Sequence, residues 1–176
     1  MSFIQRFLGL GGDAPSAPED PRAMRAIRAR LDALPEDEAR YLAAFAYVLA
    51  RTAHADQDVS ADEVVAMQRI VQEQTDLGRE QVALVVDLAT SQAQTLGGTQ
   101  DFVVTKVLKT LTTPDQRLQI LDCLLAVAAA DDLIVGEEER EMRLVAKELG
   151  IQDKNFLSAL SRYRDQRSVM KDWPGA

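Results

Sequence analysis

Two runs of this sequence are apolar nearly all round a helix: YLAAFAYVLARTAHA at 41–55 and LQILDCLLAVAAA at 118–130. A helix with no polar face belongs inside a bundle, because one left on the surface exposes apolar area to water. Ala43, Ala44, Ala46 and Ala50 on the first run, and Ala126, Ala128, Ala129 and Ala130 on the second, would let neighbours approach closely. The rest of the chain therefore has to supply helices that wrap these two. Only 5% of residues are aromatic against 47% hydrophobic overall, so the core is built from Ala, Leu, Val and Ile. That composition suits close-packed helices better than strands. At 176 residues the chain makes one domain with a single sizeable core.

Punctuation along the chain divides it into helices at about 21–34, 36–54, 61–75, 79–96, 99–112, 114–130, 137–149 and 153–166. Asp20-Pro21 offers an N-cap followed by proline at the first helical position. Ser60-Ala-Asp-Glu63 reads as a capping box, and Thr113-Pro-Asp-Gln116 repeats its logic. Gly150 stands where a helix stop wants a residue at ease with positive φ. The expected fold is all-α: a single-domain bundle of seven to eight helices. Residues 1–19 form a short apolar helix and a Gly/Pro-rich linker, 20–170 the domain, and 171–176 a tail.

The bundle is expected to consist of two similar halves, roughly 36–96 and 99–166. Each apolar run leads into a like junction, ADQDVSADE at 55–63 and ADDLIVGEE at 130–138. At a shift of 75 residues Asp56 falls on Asp131, Val59 on Ile134, Asp62 on Glu137, Glu63 on Glu138 and Met67 on Met142. Halves of this kind would bury their apolar faces about a pseudo-twofold axis.

The pattern Ala-Asp-x-x-(Val/Ile)-x-x-(acid)-Glu between two helices, present twice, resembles the TerB family of tellurite-resistance and stress-response proteins. The resemblance covers roughly residues 36–160 and extends to the Phe-rich start. Where the family usually carries Gly after the motif's Asp, this chain has Gln57 and Asp132, and Leu133 stands opposite Asp58. The resemblance implies a helical module, cytoplasmic or at the inner membrane face, with an acidic surface suspected of binding metal. The same domain type occurs at the front of a membrane-anchored J-domain co-chaperone.

Charge and residue chemistry narrow the function. A net charge of −8 argues against nucleic acid, which needs a basic face for its phosphates. No run of about twenty apolar residues is present to span a membrane, and Gln5 and Arg6 interrupt what would be the apolar part of a signal peptide. Cys123 alone forms neither an internal disulfide nor a multi-cysteine zinc site, and reads as a buried thiol. A reducing, cytoplasmic address follows.

The candidate metal ligands are Asp56, Asp58, Asp62 and Glu63 with Asp131, Asp132, Glu137 and Glu138. Hard divalent cations such as calcium, magnesium or manganese take carboxylate oxygens, and two acidic turns could supply several. An EF-hand does not fit, because Met67 and Met142 stand where each loop would need its bidentate glutamate. Helix capping explains Asp62, Glu63, Glu137 and Glu138 without further assumption, since acids at a helix N-terminus gain about 0.3–1 kcal/mol each from the macrodipole. Asp56 and Asp131 come at helix exits, where a carboxylate is unfavourable, and are the stronger functional candidates.

His54 is the single histidine, and with Cys123 on another helix it signals no nucleophile–base pair. No enzymatic activity is expected. Phe3, Ile4, Phe7 and Leu8 share one helical face, which either docks on a protein partner or the inner membrane surface or folds back on the core. A metal-free adaptor acting through that face is the competing reading. The arginines from Arg22 to Arg30 are expected to pair with the acidic body rather than with nucleic acid, and the basic stretch from Arg162 to Arg167 reads as a solvated face.

Overall fold

Local cap chemistry sets several of the helix boundaries, with Ser60 and Thr113 at two starts and Gly150 at one end. The structure, a computed structural model, describes residues 21–52, 59–92, 100–131, 134 and 136–171. Among them are eight α-helices and no strand: α1 Pro21–Asp32, α2 Glu36–Thr52, α3 Ala61–Gln74, α4 Arg79–Gln92, α5 Gln100–Thr110, α6 Pro114–Asp131, α7 Glu137–Glu148 and α8 Asp153–Lys171. The order matches the expectation, as do the starts except that of α5, expected at 99, which lies outside the described residues, while α8 runs five residues past the expected 166. The expected ends of α2 and α4 fall in 53–58 and 93–99, outside the described residues.

The caps show why the boundaries fall there. Ser60 N–H donates to Glu63 Oε2 at 2.6 Å and Glu63 N–H donates to Ser60 Oγ at 3.3 Å, closing the capping box of α3. Thr113 and Gln116 make the same exchange at 2.9 and 3.2 Å ahead of α6. The end of α7 is a Schellman turn: Ile151 N–H reaches Ala146 O at 2.9 Å and Gly150 N–H reaches Lys147 O at 3.0 Å. Gly150 sits at φ 78°, a conformation that costs a Cβ-bearing residue energy. α7 starts differently from α3, after Gly136 at φ 59°, with no side-chain cap.

α2 lies in the middle, and every residue from 42 to 50 is buried. It packs on α4 and α5 most extensively and also on α6, α7 and α1. α6 is apolar on all sides because it serves two cores. Ile120, Cys123, Leu124 and Val127 join the main cluster around α2, to which α7 adds Val145 and Leu149. Leu121 and Leu125, one turn apart, face a second cluster with Ile134, Met142, Phe156 and Leu160. The close alanine contacts are realised on α2, whereas Ala130 at the end of α6 is exposed.

The packing does not establish the expected pseudo-twofold. Three pairings have counterparts across the halves: α2 with α4 and α6 with α8, α3 with α4 and α7 with α8, α3 with α6 and α7 with α2. The second half carries one helix more than the first, so α5 has no counterpart within 36–96. α1 lies on α4 and α2, while α5 lies on α2 and α7. Arg30 shows what holds α1, donating to Asp87 of α4 at 2.8 Å and to the Glu80 carbonyl at 3.1 Å, so the expected pairing with the acidic body is made.

Cys123 is fully buried and free. Burial, helped by the nearby Asp122 charge, pushes its thiol from 9.0 up to about 12. A thiol whose pKa is higher in the fold than in the unfolded chain adds stability that is whole below pH 9 and is lost as pH rises toward 12. Between pH 8 and pH 10 the chain should lose about 1 kcal/mol more stability than Cys123→Ala does, read from urea midpoints. Equal losses would show that the thiol ionises freely. At pH 8 the native thiol should stay inert to a disulfide reagent until the chain unfolds.

Candidate functional site

The last turn of α2 carries a charged network that fastens it to the second half of the chain. The Arg51 side chain is only 7% exposed. Its Nε donates to Glu141, and one terminal nitrogen donates to Glu148 Oε2 at 3.0 Å and to Thr105 Oγ1 at 3.4 Å. Glu141 and Glu148 are two turns apart on α7 and so share its face toward α2. Burial works against the guanidinium charge, but Glu141 and Glu148 more than offset it and raise its pKa. One side chain thus ties α2, α5 and α7 together.

That tie bears on the two acidic turns. Arg51 is one residue from the point where α2 passes into the first of them, and Glu141 is one turn beyond Glu137, where α7 leaves the second. Of the candidate ligands, Asp62 and Glu63 are exposed in the first turn of α3, and Glu138 is half-buried in the first turn of α7. Hydrogen bonds from the Ser60 side chain and backbone hold Glu63 below the usual carboxylate range, as its capping duty requires. The backbone places Asp131 as the last residue of α6 and Glu137 as the first of α7. Asp56, Asp58, Asp132 and His54 lie outside the described residues, as do Phe3, Ile4, Phe7 and Leu8. Among the described residues, no group of three or more His, Cys, Asp or Glu is placed to hold a metal ion.

At the other end, Arg162 of α8 donates to Asp122 of α6 at 2.7 Å, and the Tyr163 hydroxyl donates to the Asp122 carbonyl at 2.9 Å. Arg162 is therefore engaged rather than merely solvated. Burial raises the Asp122 carboxyl above its ordinary value, with Arg162 opposing the rise. The pair acts as a clasp for α8.

Sequence reasoning passed over a groove between α5 and α7, lined by Phe102 and Lys106 of α5 and by Leu144 and Lys147 of α7. The signal was present in the Phe-Val-x-x-Lys order of residues 102–106, but only the packing shows that Phe102 and Val103 stay exposed. Among the described residues, no helix is long and apolar enough to cross a membrane.

The class defined by these observations is an all-helical module organised on two buried helices, each leading into an Ala-Asp junction. The family model described as tellurite resistance protein TerB matches residues 41–161, and the chain belongs to that family. Neither a curated protein nor a solved structure matches it.

Proposed function

We propose that the chain is a non-enzymatic TerB-type stress-response module of the cytoplasm that takes a divalent cation at its two acidic turns. The observation supporting this is the Arg51 network, which draws the end of α2 against the helix that the second turn feeds. Glu63 is committed to the cap of α3, which leaves Asp56, Asp58, Asp131 and Asp132 as the carboxylates with no helix-start duty. These four would hold the ion, assisted by Asp62, Glu137 and Glu138. Carboxylate oxygens alone favour calcium, magnesium or manganese over softer metals. The cation would neutralise acids that otherwise repel one another at two helix exits.

Linkage supplies the test. The metal-stripped chain is titrated with calcium, magnesium, manganese and zinc while its melting is followed. An ion at a hundred times its Kd should add about 2.7 kcal/mol. Asp56→Asn combined with Asp131→Asn should remove that gain and leave the metal-free stability within about 0.5 kcal/mol of the parent. No stabilisation by any of the four ions would retire the proposal in favour of a metal-free adaptor.

A further inference from the structure

A chain of net charge −8 nevertheless lines one groove of about 820 Å³ between α5 and α7 with four cations. Lys106, Lys109 and Lys147 reach it from both helices, and among the described residues none of the three is in an ion pair. Arg117 of α6 adds a fourth cation, with one nitrogen donating to the Lys109 carbonyl at 2.9 Å and to the Thr112 carbonyl at 2.8 Å. It therefore caps α5 and offsets the negative end of that helix. Among the described residues the one acid lining the groove, Glu148, is already paired with Arg51.

The groove is graded from end to end. Lys109 Nζ lies 2.8 Å from the position a Cβ on Gly150 would take, so α5 and α7 finish side by side. Counted back from that shared end, Phe102 lies ~10 Å up α5 and Leu144 ~9 Å up α7, at 1.5 Å per residue. Phe102 is 57% exposed and Leu144 44%. Apolar surface thus occupies one end and Lys109 with Arg117 the other, with Lys106 and Lys147 between them.

We infer that this groove binds a small anionic amphiphile, an alkyl or acyl chain ending in a phosphate or carboxylate. The tail covers Phe102 and Leu144, and the head meets Lys106, Lys109 and Lys147. The volume is that of small-molecule sites, which run to about 1,000 Å³. A groove for an acidic helix would instead carry an apolar floor along its whole length with charge on both rims. The inference is independent of the metal reading, since it uses neither acidic turn.

The probe is decyl phosphate below its micelle concentration, titrated calorimetrically into the full chain, with amide NMR shifts locating it. Binding should be one-to-one, with shifts centred on 102–110 and 144–150. Lys106→Gln with Lys147→Gln should weaken it roughly tenfold or more, the scale of lost charge-assisted contacts. Phe102→Ala should weaken it while leaving the melting temperature unchanged, because the ring is solvent-facing. Decanol binding as tightly as decyl phosphate would overturn the inference, as would full competition by inorganic phosphate. So would shifts confined to other helices, or an acidic amphipathic peptide filling the groove while decyl phosphate does not bind.

Discussion

Arg51→Ala should destabilise the chain by about 3–5 kcal/mol, the cost of leaving a buried charge without its partner. Glu148 is the group stranded, since its side chain is only 10% exposed and its oxygen accepts from Arg51 at 3.0 Å. Glu141, at 31%, can turn toward water and should contribute less. The loss should persist from low to moderate salt, because a pair this enclosed is poorly screened. Glu148→Gln in the Arg51→Ala background should recover part of it by removing the stranded charge. A double-mutant cycle between Arg51→Ala and Glu148→Ala should give a coupling above about 1 kcal/mol. Guanidinium chloride would mask this electrostatic term, so urea midpoints are the measurement. A total loss under about 1 kcal/mol would place the pair with ordinary surface ion pairs.

The same network shows where reading the sequence stops. Helix starts were legible because their chemistry is local: Ser60 with Glu63 and Thr113 with Gln116 are three residues apart, and Gly150 follows directly on Leu149. The central place of α2 and α6 was legible because each carries a run that is apolar nearly all round. Arg51 gave no such signal. Its partners lie 90 and 97 residues away, and in sequence it is one arginine near the end of an apolar run. The groove was hidden for a related reason, since the exposure of Phe102 depends on which neighbours fail to cover α5. The repeat is legible in the sequence but is not established by the packing. The matching junctions at 56 and 131 predict symmetry, and three helix pairings have counterparts across the halves, but α5 has none within 36–96. Ser60 caps α3 whereas Gly136 leaves α7 without a side-chain cap, and the two junctions differ physically for all their likeness.

Phe45→Ala should cost about 3–5 kcal/mol, near the upper end of that range. Phe45 is fully buried on α2, its ring 6.2 Å from that of Tyr41. What decides the magnitude is its neighbourhood on the helix. Its neighbours on the same helix face, Leu42, Val48 and Leu49, are themselves fully buried, which leaves them little room to swing into the space the ring would vacate. The cavity therefore stays open, and the cavity term adds in full to the lost transfer energy. Phe156 of α8 is as well buried but is roofed by the Arg143 guanidinium 5.2 Å from the ring centroid, and that side chain is 43% exposed. A long flexible stem at the boundary can settle inward, so Phe156→Ala should cost less than Phe45→Ala by about 1 kcal/mol. Denaturant midpoints of the two variants with unchanged m-values would decide it. The reverse order would mean that α2 can close on itself, and the alanine-lined helix would then lose its claim to be the rigid centre on which α4, α5, α6 and α7 are set.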